Sequence, residues 1–213
     1  MFLKFCGFTR REDAEAAVRL GVDAVGLVFY QKSPRSVTPG QAAEIAASIK
    51  GKTVVIGVFV EEPEEKILEI AWQVGFGAVQ LHGEEKVKNY RRLIKSDLKV
   101  IKAIHPEKPN ALELALQWEK NADYFLLDAF SEKMPGGTGK RFDLKFLAPY
   151  LEIGKPVIVA GGITPQNIKE FLSLKGIFGL DVSSGIEAGP GIKSKAKMEE
   201  IIREVRAKNG YQD

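Results

Sequence analysis

One cysteine stands in the chain, Cys6, in the opening stretch KFCGFTR. A thiolate is an effective base toward a carbon acid once cations or helix N-termini bring its pKa down. Far along the chain, the apolar run YFLLDAF carries one carboxylate, Asp128. A carboxyl group whose pKa is raised by burial donates a proton to a leaving oxygen. Two further stretches have the make-up of an anion cradle. AGGITPQN sets Gly161 and Gly162 before a helix start, with Thr164 as a candidate cap. DVSSGIE sets Ser183, Ser184 and Gly185 in a turn just after Asp181. Glycines let backbone N–H groups approach a ligand, serine hydroxyls add donors, and a helix N-terminus lends its positive dipole end. A base, an acid and a phosphate cradle are the equipment of an isomerase, provided the fold gathers them. Taken singly, each has a plainer reading: Cys6 a structural thiol, Asp128 a loop or helix cap, the glycine pair a turn.

The elements that must gather them are legible as alternation. Near-continuous apolar runs lie at 2–5, 24–29, 53–60, 78–82, 99–104, 124–130, 156–162 and 178–185. Runs of that kind read as parallel strands buried on both faces. Between them lie helical patterns: REDAEAAVRLG, PGQAAEIAASIKG, PEEKILEIAWQVG, EEKVKNYRRLIK, ALELALQWEK, a short DLKFLAPYL, PQNIKEFLSLKG and SKAKMEEIIREVRAK. Pro39 and Pro63 open two of these, and Gly21, Gly51 and Gly75 close three. Eight such units with right-handed crossovers predict an α/β fold, a single (β/α)8 TIM barrel spanning residues 1–213 as one domain. An open doubly wound sheet is the alternative, but CGFTR stands where a GxGxxG turn would follow the first strand.

Composition narrows the function classes. The chain is 45% hydrophobic, enough for a sizeable core, and its net charge of +3 is spread among interleaved lysines, arginines and glutamates. That pattern carries no nucleic-acid footprint. No apolar run approaches the roughly 18 residues that span a bilayer. A lone cysteine and an N-terminus without a signal peptide fit a cytoplasmic protein. A small phosphorylated molecule is the expected partner, with no nucleic acid, no membrane and a monomer or homodimer as the assembly.

In a barrel of this kind the active site lies at the C-terminal ends of the strands. The residues falling there are Cys6 and Gly7; Arg35 in the loop FYQKSPRSVTP, with Lys32 its weaker competitor; Gln80 and His82; His105; Asp128; AGGITPQN; and Asp181 with DVSSGIE. Phosphate commonly sits on the loops after strands 7 and 8, where the two glycine-rich stretches fall. Arg35 reads equally as a solvated side chain or as a partner for a substrate anion. His82 and His105, the only histidines, have no cysteine or clustered carboxylate beside them in sequence, so no metal and no cofactor is expected. VFVEEPEE reads as a helix start. A synthase acting through a barrel lysine would draw on Lys102 on the fifth strand, while Lys4 reads as an edge residue. A non-catalytic phosphate-binding barrel has no need of both Cys6 and Asp128.

Taken in order, KFCGFTR, GLVFYQKSPRSVTP, GVFV, VQLHGEE, LLDAF with GGTGKRFD, VIVAGGITPQN and GLDVSSGIEAGPGIK resemble the phosphoribosylanthranilate isomerase family of tryptophan biosynthesis. The resemblance covers nearly the whole chain. It implies an Amadori rearrangement of N-(5-phosphoribosyl)anthranilate to 1-(2-carboxyphenylamino)-1-deoxyribulose 5-phosphate. It implies Asp128 as general acid at the furanose oxygen and Cys6 as base at C2. Gly161, Gly162, Ser183, Ser184 and Gly185 would hold the phosphate, and Arg35 the anthranilate carboxylate. Gln80 and His82 would line the pocket, with Asp181 near the ribose. The chain departs from the family pattern at Phe5 and Phe8, which flank the proposed base, and at Leu144, where a tryptophan is frequent.

Overall fold

The computed structural model describes residues 1–129 and 141–208. Eight parallel strands close into a barrel: β1 (Phe2–Cys6), β2 (Ala24–Val28), β3 (Val54–Phe59), β4 (Ala78–Leu81), β5 (Lys99–Ile104), β6 (Tyr124–Leu127), β7 (Val157–Ala160) and β8 (Gly179–Val182). β1 and β8 shut the ring, with Lys4 opposite Asp181 in register. Around it run α1 (Arg11–Arg19), α2 (Pro39–Ser48), α3 (Glu64–Val74), α4 (Arg91–Ile94), α5 (Ala111–Trp118), α6 (Ala148–Leu151), α7 (Ile168–Leu172) and α8 (Lys195–Lys208). A small hairpin, β9 (Glu187–Gly189) with β10 (Ile192–Lys193), folds over the β1 and β8 ends. No helix among the described residues is long and apolar enough to cross a membrane.

The side chains divide into two apolar layers because successive residues of a strand face opposite ways. Ala24, Ile56, Ala78, Ile101, Ala103, Leu126, Ile158 and Ala160 fill the barrel interior. Leu3, Phe5, Leu27, Val79, Phe125, Val159 and Leu180 point outward and pack under the helices. Phe5 therefore lies on the face of β1 opposite Cys6. Its bulk goes to the helix layer rather than against the proposed base. Trp118 is also core, whereas Trp72 is 85% exposed.

Helix ends follow local chemistry where that chemistry is strong. Thr38 and Gln41 form a reciprocal capping box ahead of Pro39. Gly75 ends α3 in the left-handed conformation at φ 78°. Three expected helices, those after β4, β6 and β7, are shorter than their patterns, and α7 keeps only five residues. The segment 84–95 forms a 3-10 turn at Val87–Asn89 and only one α-turn, α4. Its first part is tied down elsewhere: Glu85 pairs with Lys102, and α4 starts where the Glu64 carboxylate accepts from the Arg92 and Leu93 N–H groups. Glu64 thus starts α3, as VFVEEPEE predicts, and caps α4 as well. The short DLKFLAPYL gives a 3-10 turn and α6, with Pro149 near its start.

Candidate active site

Alternation along the strands aims a set of polar residues into the upper barrel. On β1, Lys4 and Cys6 share the inward phase. At β4, Gln80 and His82 do so, and Ala103 carries that phase on β5 to His105. Leu126 carries it on β6 to Asp128, and Asp181 lies inward on β8. Cys6, Gln80, His82, Asp128 and Asp181 are all buried. Cys6 has room because Gly26 faces it in register on β2; a Cβ there would lie 2.6 Å from its Sγ.

Lys4 corrects the edge reading. It is completely buried, and its Nζ donates to Asp181 Oδ2 at 2.8 Å. Lys102 is equally buried but has the outward phase, so it sits under Trp118 and not in the barrel. The lysine proposed for a synthase is therefore on the wrong side of its strand. Burial works against the Lys4 charge, but the adjacent Asp181 carboxylate and Cys6 outweigh it and hold its pKa up.

The two candidate proton carriers differ in environment. Burial, reinforced by the Asp181 charge, pushes the Asp128 carboxyl up to about 7, against smaller opposing effects of the Ala129 N–H and Lys4. Burial also pushes the Cys6 thiol above its ordinary value, while the Lys4 and Lys193 cations pull the other way. His82 Nε2 lies 3.5 Å from Asp128 Oδ2, and Gln80 Nε2 donates to His82 Nδ1 at 3.1 Å. Burial first, and then His105 and Lys102, hold the His82 pKa well below its usual value, so the ring is neutral.

The glycine and serine stretches meet at the β7 and β8 ends. Gly161 has φ 100°, and a Cβ there would lie 2.9 Å from the Ala129 nitrogen and 3.1 Å from Asp128 Oδ1. Gly185 is packed so closely on Ile163 that a Cβ would lie 1.7 Å from its carbonyl oxygen. Only glycine permits either approach. Gly162 is also in the left-handed region, at φ 64°. Thr164 is not the cap. Asn167 holds this turn, its Oδ1 accepting from Thr164 N–H and its Nδ2 donating to the Gly162 carbonyl. With α7 only five residues long, the donors here are loop N–H groups more than a helix end. Ser184 and Gly185 lie in a 3-10 turn, and the Ser183 hydroxyl donates to the Cys6 carbonyl at 3.1 Å. The cradle and the thiol are thus joined.

Arg35 is neither solvated nor loose. It is buried over Gly7, and its Nε and Nη2 donate to the two Glu187 oxygens at 2.8 and 2.7 Å. Two of five guanidinium N–H groups are thereby used. Lys193 joins the same carboxylate at 2.9 Å and donates to the carbonyls of Cys6 and Ser183. The motif GIEAGPGIK contains both Glu187 and Lys193, but nothing in its local pattern shows that they brace β1. Lys193 also lies over the Phe8 ring, 5.5 Å from its centre, which gives that family departure a place in the brace. Leu144 opens the 3-10 turn before α6, and the GGTGK stretch of the preceding loop lies outside the described residues.

His82 and His105 do have a clustered carboxylate, because the fold brings Asp128 to them; one donor atom from each lies within 4.8 Å of the others.

A sequence profile of N-(5'-phosphoribosyl)anthranilate (PRA) isomerase matches residues 3–204. A protein of that name from Rubrobacter xylanophilus is 41% identical, covering 90% of this chain and 92% of its own. One from Thermotoga maritima is 38% identical, covering 96% and 98%. Among solved structures, the Thermus thermophilus phosphoribosyl anthranilate isomerase superposes with a TM-score of 0.86 at 35% identity, over 97% of this chain and 99% of that one. A phosphoribosyl anthranilate isomerase solved with reduced 1-(o-carboxyphenylamino)-1-deoxyribulose 5-phosphate gives 0.84 at 34% identity, over 99% and 100%.

Proposed function

The chain belongs to the N-(5'-phosphoribosyl)anthranilate isomerase family, and on that premise we propose that it performs the Amadori rearrangement of this substrate with Asp128 as general acid and Cys6 as general base. Asp128 gives its proton to the furanose ring oxygen. The C1–O bond breaks, that oxygen becomes a hydroxyl, and the anthranilate nitrogen pair forms a Schiff base at C1. Cys6 then takes the proton from C2, and the electron pair left behind neutralises the iminium as an enolamine. Tautomerisation to the ketone completes an isomerisation that needs no cofactor. One proton enters from the acid and one leaves to the base.

The observation that carries this reading is the Asp128 carboxyl, buried at the barrel mouth and still protonated up to about pH 7. A carboxyl group of ordinary pKa has no proton to give there. Gly161, Gly162, Ser183, Ser184 and Gly185 hold the phosphate through backbone N–H groups and the Ser184 hydroxyl. Gly7 lets Arg35 lie across the strand end, where its unused donors meet the anthranilate carboxylate while Glu187 fixes the plane of the guanidinium. Gln80 and His82 line the ring pocket, and Asp181 offers Oδ1 to a ribose hydroxyl. We assign the reaction to the cytoplasm, in a monomer or homodimer without nucleic-acid or membrane partners. Interleaved charge supports the exclusion of nucleic acid.

The acid titrates below the base in the ligand-free site. The productive form, carboxylic acid with thiolate, is then a minority species of constant share between the two titrations. The pH profile of kcat/KM is expected to be a bell whose acid limb lies near 7 and whose alkaline limb reports the thiol. Loss of anthranilate-ribotide fluorescence tests the assignment. Cys6→Ala and Asp128→Asn are each expected to lower turnover by at least ~10²-fold with the fold retained. Full activity in both variants would remove the proposal.

A further inference from the structure

We propose that His82, His105 and Asp128 form a site for a divalent transition ion of the Zn2+ class, and that this ion and the substrate exclude one another. The three residues stand at the ends of β4, β5 and β6, on one arc of the barrel mouth. Their donor atoms, two imidazole nitrogens and one carboxylate oxygen, lie within 4.8 Å of one another. Zinc bonds to nitrogen and oxygen of ~2.0–2.1 Å at tetrahedral angles separate ligand atoms by about 3.3 Å. The His82 Nε2 to Asp128 Oδ2 distance is already 3.5 Å. Bringing His105 to the same spacing takes a shift of about 1.5 Å at most.

A second observation concerns the buried polar atoms around these three residues. Among the described residues, His82 Nε2 and Gln80 Oε1 are buried polar atoms without a hydrogen-bond partner. An amide carbonyl and its NH2 occupy nearly the same space, so the Gln80 amide can turn by half within its site. Its Oε1 then accepts from His82 Nδ1–H, and the Nε2 lone pair faces Asp128. That lone pair takes the Asp128 proton or, in place of that proton, a cation. His105 has the complementary arrangement: its Nδ1 lies 3.2 Å from the Asp128 carbonyl oxygen. When Nδ1 carries the hydrogen and donates to that oxygen, Nε2 carries the lone pair. Ligating histidines are typically fixed in this way, the other ring N–H donating to a carbonyl.

Each neighbouring ammonium group has a carboxylate partner that offsets part of its charge. Lys102 pairs with Glu85, Lys108 with Glu84 and Lys4 with Asp181. Two histidines and one carboxylate suit zinc, and with it other borderline ions rather than Mg2+. The bound ion takes the place of the Asp128 proton. The inhibitory half of the inference rests on Asp128 being the general acid; the binding half does not.

The test uses chelator-stripped full-length protein, titrated with Zn2+ against a chromogenic chelator and with Co2+ for its visible absorption bands. The expected result is one ion per chain, weakened at least ~10-fold in His105→Ala and in His82→Ala. Cys6→Ser, which removes the only thiol, retains the site. Zn2+ is expected to inhibit turnover competitively with substrate and reversibly with EDTA. Unchanged binding in His105→Ala and His82→Ala, or loss of binding in Cys6→Ser, overturns the site. Zn2+ bound at this site without inhibition overturns the exclusion. Asp128→Asn in EDTA keeps the two readings apart: full turnover there sinks the acid assignment and leaves metal binding to be judged by the Co2+ spectrum.

Discussion

Lys4 and Lys102 are both fully buried lysines on barrel strands, and each is paired with a carboxylate. The outer pair is saturated. Lys102 Nζ donates to Glu85 Oε2 and to the Leu81 and Gly83 carbonyls, so its three donors are spent on the end of β4 and the loop that follows it. The inner pair is not. Lys4 holds Asp181 Oδ2, while Asp181 Oδ1 has no partner among the described residues. A buried network with every group satisfied fixes a shape, whereas one left open has capacity for a ligand. The Lys102 pair positions the loop carrying His82. The Lys4 pair stands between the two proton carriers, where its charges act on both.

The contrast is broken most severely at the outer pair. Lys102→Met leaves Glu85 buried and unpaired, and is expected to lower stability by ~3–5 kcal/mol in urea unfolding. Turnover per folded molecule is expected to stay within about threefold, since no reacting group is touched. Adding Glu85→Leu is expected to return most of the stability.

Lys4→Met is expected to act on chemistry. The Lys4 charge lowers the pKa of both Cys6 and Asp128, so its removal moves both limbs of the pH profile upward. Lys4 acts on Cys6 through charge and a hydrogen bond but on Asp128 through charge alone, so the gap between the limbs widens and kcat/KM is expected to fall by ~10-fold. An unmoved profile would make Lys4 merely structural.

Asp128→Asn sharpens the same point through stability. Its folded pKa, about 7, lies above the ordinary 3.8, so the native state binds the extra proton. The associated stability is complete below about pH 4 and is lost as pH rises toward 7. The melting-temperature gap, variant minus wild type, is therefore expected to widen from pH 4 to pH 8. A constant gap would mean that Asp128 titrates normally.

The smallest effect is expected from Asp181→Asn. The Asp181 charge raises both Asp128 and Cys6, so the limbs shift downward, opposite to Lys4→Met, by about one unit or less. Parallel shifts in the two variants would rule out an electrostatic role for the pair.

Much of this molecule is written locally. The eight strands fall within a residue or two of their apolar runs at the starts, because strands buried on both faces need uninterrupted hydrophobic sequence. β6, β7 and β8 end two or three residues earlier, where the chain turns into the site. The helices after β4, β6 and β7 were less legible, since side chains such as Glu85 and Asn167 bind outside their own segment. Residue type and strand-end position marked Cys6, Asp128, Gly161 and Ser183 as candidates.

What the sequence by itself determined is the succession of strands and helices and the rim on which chemistry falls, because neighbouring residues decide both. Only the closed barrel decided that Lys4 faces inward to Asp181, 177 residues away, and Lys102 outward. It alone set Arg35 against Glu187 and gathered His82, His105 and Asp128. A strand's alternation has two phases, and the direction each phase faces exists only once the sheet has curved and shut.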